Sequence, residues 1–262
     1  MNEGEKDELL FKIQLVYMRD NDKALFGEKL TSVGFKSSEY KTIPKNINLS
    51  SLKSMSDSEL KDLSSIIGIS KASTGCKADV YINGIGVSLK SLQAAPAALV
   101  NHTARPGFEF ACKNANVDIE TLDEIVNHYW ELRMNGKIAE DIRNSDIDCP
   151  FKDKKDYMKP ILEYFLFVGS GRKISIAPAE YIIEFLDPLN PSTYKKLTKK
   201  DAVEEFWPNL TFSIRAKKGM PKNYKLESYN GRNAASIAKW VRFFSGDYRG
   251  ALHIRISKGK TK

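Results

Sequence analysis

The spacing of apolar residues predicts three helices in the first half of the chain. Apolar side chains recur every three or four residues within 5–33 and again within 118–134, which is the spacing of one helix face. Ser56 and Glu59 have the spacing of a capping box and predict a short helix that ends before Gly68.

The rest of the chain mixes strand and helix signals. Apolar and polar residues alternate over 210–216 and 251–257, which predicts two strands with a helix at 234–244 between them. The segment 173–177 favours a strand, and 179–186 favours a helix that stops at a proline. No regular strand-helix-strand repeat is present. We therefore expect an α/β protein with a central mixed β-sheet flanked by helices.

No change of composition marks a domain boundary, so we expect a single domain over 1–262. Within it we distinguish a helical part at about 1–68, a hairpin at 77–90 and a basic part at about 210–257. No apolar run approaches the roughly 20 residues that cross a bilayer. The acidic N-terminus lacks the positive start of a secretion signal, and we therefore expect a cytoplasmic protein.

Basic residues outnumber acidic ones and concentrate near the C-terminal end. The chain has 41 lysines and arginines against 33 acidic residues, a net charge of +8. The basic part also contains several tyrosines and a tryptophan, which together favour a nucleic-acid surface over a merely solvated one. Three cysteines without a paired spacing and three scattered histidines argue against a disulfide scaffold or a structural zinc site.

The hairpin at 77–90 carries the clearest chemistry. Asn83-Gly84 favours a two-residue type I′ turn, in which facing residues have numbers that sum to 167. Alternation along the strands then places apolar residues on one face. The other face collects Asp79, Tyr81, Ser88 and Lys90, with Asp79 directly opposite Ser88.

A carboxylate beside an oxygen ligand and a lysine suits phosphodiester hydrolysis with Mg²⁺. The metal prefers hard oxygen ligands, lowers the pKa of a bound water and neutralises charge on the phosphate. A lysine can orient that water or stabilise the oxyanion. The alternative is a half-exposed hairpin in which Asp79 and Lys90 only form a surface ion pair.

These residues resemble the metal site of the PD-(D/E)xK nuclease superfamily. Asp79 matches the family aspartate, and Ser88-Leu89-Lys90 stands where the acid-x-lysine occurs. The surrounding sequence resembles that of type II restriction endonucleases in the segments KADVYINGIGVSLKS, NHTARPGFEF, FSIRAKKGMP and RGALHIRI. The resemblance implies a Mg²⁺-dependent enzyme that cuts both strands of double-stranded DNA at a short specific sequence, most simply as a homodimer on a palindromic site.

Two positions depart from the family pattern. Ala78 replaces a proline, and Ser88 replaces the second acid, which is the more serious change because a hydroxyl is a weaker Mg²⁺ ligand. Family members sometimes draw the missing acid from a helix. Glu59 is the first candidate for a catalytic and metal-binding acid, with Glu28 and Glu109 behind it, although the sequence favours a role for Glu59 in the capping box alone.

Further polar residues are candidates for DNA contacts, against ordinary surface polarity as the alternative. Arginine and asparagine suit guanine and adenine edges, and a basic strand end suits phosphate. The candidates are Lys77, Gln93, Asn101, His102, Arg105, Arg215, Lys217 and Lys218.

Two other functions compete with a type II restriction endonuclease. One is a repair or mobile-element nuclease on the same fold, which would cut by DNA structure or with partner subunits. The other is a non-catalytic nucleic-acid-binding protein, which would explain the basic part equally well and which the serine at position 88 favours.

Overall fold

The computed structural model describes residues 1–69, 75–93, 98–216 and 234–257. Contacts divide the chain into two compact units: a first unit of Met1–Ala95 and Ser175–Asp201, and a second unit of Pro96–Ile174 and Ala202–Lys262. No change of composition marks these boundaries, so the sequence pattern alone favoured a single domain. Among the described helices, none is both long and apolar enough to cross a membrane.

The described secondary structure is mixed. The helices are α1 (Glu3–Asp20), α2 (Asp57–Ile67), α3 (Arg105–Ala115), α4 (Glu120–Met134), α5 (Lys155–Glu163), α6 (Lys199–Phe206) and α7 (Ala234–Ala238). The strands are β1 (Ala24–Leu25), β2 (Glu28–Lys29), β3 (Val33–Phe35), β4 (Ser38–Glu39), β5 (Val80–Ile82), β6 (Ile85–Ser91), β7 (Ala98–Ala104), β8 (Ile142–Arg143), β9 (Tyr181–Phe185), β10 (Tyr194–Thr198), β11 (Leu210–Arg215), β12 (Arg242–Phe244), β13 (Asp247–Arg249) and β14 (Ala251–Ile256). The expectation of an α/β protein with a mixed sheet and helices is confirmed at this level.

The first unit is built on a six-stranded sheet of order β10-β9-β6-β5-β3-β4. Strands β6 and β9 run parallel, whereas the other neighbours are antiparallel, so the sheet is mixed. Helix α1 packs against β6 and α2. The core between them contains Phe11, Leu63 and Val87, together with other buried apolar residues of these elements.

Two of the helix predictions for the first unit were wrong. The predicted helix over 5–33 ends at Asp20, because the chain then turns through Phe26 and Gly27, both at positive φ (52° and 85°), between β1 and β2. The segment 179–186, expected as a helix, contains strand β9, all of whose residues are buried. A short, fully buried apolar run lacks the alternation that would distinguish a strand from a helix.

The second unit contains an antiparallel sheet of order β7-β14-β11-β8. Strands β11 and β14 confirm the predicted strands at 210–216 and 251–257, and α4 confirms the predicted helix over 118–134. The predicted helix at 234–244 is shorter, because the chain forms the β12-β13 hairpin around Ser245 and Gly246 at φ 51° and 81°.

Candidate active site on the hairpin

The β5-β6 hairpin forms with the predicted turn and register. Asn83 and Gly84 have φ values of 50° and 79°, as a type I′ turn requires. Val80 faces Val87 and Ile82 faces Ile85, so facing numbers sum to 167. The Asn83 side chain also fixes the turn, because its Oδ1 accepts the backbone N–H of Thr31 at 2.8 Å.

Asp79 and Ser88 are in direct contact at the open end of this hairpin. The Asp79 backbone N–H donates to the carbonyl of Val87 at 2.8 Å. Asp79 Oδ2 accepts hydrogen bonds from the Leu89 backbone N–H, at an N–O distance of 2.8 Å, and from the Ser88 hydroxyl, at an O–O distance of 3.2 Å. Within the described part of the chain, Oδ1 accepts no hydrogen bond, so one carboxylate oxygen is available as a ligand.

Two lysines lie close to this carboxylate. Lys90 follows Ser88 by two residues and shares its face of the sheet. Burial, and after it the charge of Lys90, lowers the pKa of Lys77 to about 8 against the opposing charge of Asp79. The backbone N–H of Lys77 donates to Ser175 Oγ at 3.1 Å. Asp79, Ser88, Lys90 and Lys77 therefore form a patch, which we call the hairpin patch.

The structure does not bring Glu59 to the hairpin patch. Its carboxylate accepts the backbone N–H and the hydroxyl of Ser56, each at 2.7 Å, in the capping box of α2. These hydrogen bonds lower the pKa of an exposed side chain. Glu28 lies on an exposed two-residue strand, and Glu109 belongs to the second unit. No cluster of three or more His, Cys, Asp or Glu side chains suited to a metal occurs within the described ranges.

Glu184 is an acid that the sequence reasoning missed. In the parallel pairing of β6 with β9, Glu184 is the register partner of Lys90, and its side chain shares that face of the sheet. The residue is 7% exposed. It was missed because 179–186 was assigned to a helix, which would not align this carboxylate with the hairpin. The five residues of β9 are rich in β-branched and aromatic side chains, and this composition could have indicated a strand from the sequence.

Tyr40 is a buried tyrosine of the first unit that the charge of Asp79 influences. Its hydroxyl is buried and has no hydrogen-bond partner within the described residues. Burial raises the pKa of this phenol, and the charges of Glu8 and Asp79 raise it further, so the group stays protonated. Glu8, on α1, is itself paired with Lys12 at 2.6 Å. The Tyr40 phenol is therefore a neutral, buried group within reach of the electrostatic field of Asp79.

Comparison of the chain with protein-family models, with curated proteins and with solved structures found no match. The resemblance to restriction endonucleases thus stays a hypothesis that depends on the hairpin residues.

Arg105 occupies a buried ion pair in place of the predicted DNA contact. It begins α3 and is 3% exposed. Its Nε and Nη2 donate to the two carboxylate oxygens of Asp123, each at 2.7 Å, and its Nη1 donates to Ser236 Oγ at 2.7 Å. A guanidinium in these contacts holds α3, α4 and α7 together and is closed to DNA.

The other predicted DNA contacts are distributed over both units. Gln93 is exposed and lies just after β6 in the first unit, whereas Asn101 and His102 lie within β7 of the second unit and not in the expected loop. Asn101 is exposed, and the His102 ring packs on that of His253 with centroids 4.6 Å apart. Arg215 is paired with Asp141. Lys217 and Lys218 lie outside the described residues.

Proposed function

We propose that this chain is a Mg²⁺-dependent endonuclease that hydrolyses double-stranded DNA at a short specific sequence, in the manner of a type II restriction endonuclease of the PD-(D/E)xK superfamily. The observation that carries the proposal is the contact between the Asp79 carboxylate and the Ser88 hydroxyl, with Lys90 on the same face. The mixed sheet beneath the hairpin patch is compatible with a restriction-endonuclease-like fold, and a homodimer is the simplest assembly on a palindromic site.

The donor set of the hairpin patch fits Mg²⁺. Asp79 Oδ1 would hold the metal together with the Ser88 hydroxyl, because Mg²⁺ is commonly held by one or two carboxylates, with waters and phosphate oxygens completing its shell. When bound, the metal supplies a water of lowered pKa and neutralises charge on the phosphate. We assign Glu184 as the second carboxylate, because strand register places it on the same sheet face beside Lys90.

The lysines of the patch act on the phosphate. Lys90, on the face of Ser88, donates to a non-bridging oxygen of the scissile phosphate and stabilises the charge that develops there. Lys77 adds a second donor, whose lowered pKa leaves it only partly charged near pH 8.

A specific observation favours the non-catalytic alternative. Asp79 Oδ2 accepts the N–H of Leu89, so the carboxylate also completes the hydrogen bonding of the hairpin after strand β5 has ended. A purely structural aspartate would have this contact too. In that case the basic residues would bind nucleic acid without cutting it.

Incubation of the purified chain with phage DNA, with Mg²⁺ or with a chelator, separates the candidate functions. We expect discrete fragments that require the metal. Cleavage confined to branched or damaged DNA would favour a repair nuclease. A salt-sensitive gel shift with intact DNA under both conditions would contradict the catalytic proposal and favour the binding protein.

A further inference from the structure

One face of the β11-β14 pair in the second unit is polar. Ser213 faces His253, and Thr211 faces Arg255, in the antiparallel register of these strands. Because side chains alternate along a strand, Arg215 points to the same face as Ser213. The opposite face carries apolar side chains such as Phe212 and Ile254, which are completely buried.

Two carboxylates hold Arg215 and Arg255 of this polar face together with Arg249 of strand β13. Asp141 bridges two of them. Its Oδ1 accepts a hydrogen bond from Nη2 of Arg215 at 2.7 Å, and its Oδ2 accepts one from Nη2 of Arg255 at 2.8 Å. Glu140 accepts a hydrogen bond from Nη1 of Arg249, and its Oε1 lies 3.5 Å from Nε of Arg215. The three guanidinium groups exceed the two carboxylates by one positive charge, so the network is not neutral.

Several polar atoms of this face and of Arg249 are buried without a hydrogen-bond partner in the described part of the chain. They are Ser213 Oγ, His253 Nδ1, Arg215 Nε and Arg249 Nε. Ser213 is 1% exposed and His253 is 8% exposed. Buried polar atoms without a hydrogen-bond partner are rare and unfavourable in folded proteins. The arginine network is therefore incompletely satisfied and has donors to offer to an additional acceptor.

We propose that this face binds a phosphate group and that the Asp141 carboxylate occupies the place of that phosphate in the free protein. A guanidinium fork binds phosphate and carboxylate oxygens in the same way, and a phosphate has more acceptor oxygens to share among the unsatisfied donors. Asp141 has a side chain that is 39% exposed, so it can swing toward solvent when a phosphate enters.

The ligand is a backbone phosphate of the DNA duplex. This assignment rests on the proposed function, whereas the phosphate site itself rests on the arginine network. Arg215 and Arg255 retain partial exposure, with side chains 28% and 26% accessible, so a strand can reach them. A contact of this kind adds affinity that does not depend on base sequence and that salt weakens.

Binding of a short duplex, measured by fluorescence anisotropy without metal in an Asp79→Ala background, tests the site apart from cleavage. Asp141→Asn frees the two arginines and should tighten binding several-fold more than Asp148→Asn, which changes the net charge equally on an exposed aspartate of the same unit. Arg255→Gln should weaken binding about tenfold, as expected for one charged hydrogen bond, and should lower the salt slope by about one. Lys137→Gln, at an exposed lysine, is the matched control.

The outcomes separate this proposal from the proposed function. Melting temperatures first confirm that the variants are folded, and inorganic phosphate is titrated as a second ligand. In one outcome, inorganic phosphate stabilises the protein, Arg255→Gln removes this stabilisation, and no duplex binds. That outcome would confirm the phosphate site, assign it to a free phosphate group and contradict the DNA function. Duplex binding in which Asp141→Asn and Arg255→Gln behave like their controls would overturn the site and leave the endonuclease proposal standing.

Discussion

The same residue type has different roles in this chain according to what surrounds it. Arg105 has the sequence context of a DNA contact, yet it is buried against Asp123 at the start of α3. Arg255 is also paired with an aspartate, but its partner is half-exposed and shared with Arg215. Burial separates a structural arginine from one that can exchange its partner, and burial of an isolated arginine is not readable from sequence.

Arg105→Ala tests the structural role of this arginine. The change leaves the Asp123 carboxylate buried without its main cation, and we expect a loss of about 3–5 kcal/mol in the free energy of unfolding. Urea denaturation measures it, with Lys113→Ala on the same helix as the control. Unchanged stability together with lost DNA binding would restore Arg105 as a DNA contact.

His253 gives the fold a defined acid sensitivity. Burial, and after it the charges of His102, Arg215 and Arg255, lowers its pKa to about 4 against the opposing charge of Asp141. Above its ordinary pKa of 6.5 both folded and unfolded states hold it neutral. Between pH 6.5 and 4 only the unfolded state takes up the proton, so stability falls as the pH falls.

The expected slope from this residue is at most about 1.4 kcal/mol per pH unit, the value for one proton. Unfolding free energies measured from pH 7.5 to 4.5 should fall less steeply in His253→Gln than in the wild type. His128→Gln, which alters an exposed histidine, should keep the wild-type slope. Parallel curves for all three proteins would contradict the assignment.

At the scale of secondary-structure elements, the segments with the clearest sequence patterns were predicted correctly. Helix α4 and strands β11 and β14 have clear periodicity, and the Asn83-Gly84 turn fixed the register that joins Asp79 to Ser88. Strand β9 was missed because a run buried on both faces has no alternation to reveal it. Its pairing with β6 is a long-range contact, so the position of Glu184 was not readable from local patterns.

The hairpin itself can be tested through two of its glycines. Gly84 has a positive φ of 79°, but a Cβ added there would meet only open space, so Gly84→Ala should cost only about 1 kcal/mol through backbone conformation. At Gly86 a Cβ would lie 2.3 Å from the carbonyl oxygen of Pro178, which is rigid backbone. We expect Gly86→Ala to destabilise the chain more, by about 2–3 kcal/mol. Equal stability losses in chemical denaturation would contradict this packing of the hairpin.

The position of Glu184 on strand β9 leads to a prediction about metal binding. If Glu184 completes the metal site beside Lys90, Glu184→Gln should raise the Mg²⁺ concentration for half-maximal cleavage about 10- to 100-fold. Glu180→Gln removes the same charge from an exposed residue just before β9 and serves as the control. Calorimetric titration of Mg²⁺ provides a readout that does not depend on cleavage. An unchanged metal dependence would assign Glu184 to the structure alone.

At the scale of the whole molecule, chemistry and charge are divided between two units. The hairpin patch belongs to the first unit, whereas Arg215, Arg249 and Arg255 belong to the second. The sequence indicated both features, the hairpin through its turn and the basic part through its composition. It did not indicate that Glu140 and Asp141, far apart in sequence from these arginines, would partly neutralise them.

The central claim is that Asp79 is the metal-binding carboxylate of a nuclease. Its most direct test compares initial cleavage rates of wild type, Asp79→Ala and Asp62→Ala on the same DNA with Mg²⁺. Asp62 is an exposed aspartate of α2 in the same unit. We expect wild type and Asp62→Ala to give identical fragments. Asp79→Ala should lose at least about a hundredfold in rate, comparable to the loss of other electrostatic groups in active sites. Cleavage by Asp79→Ala at the rate of Asp62→Ala would contradict the assignment of the active site.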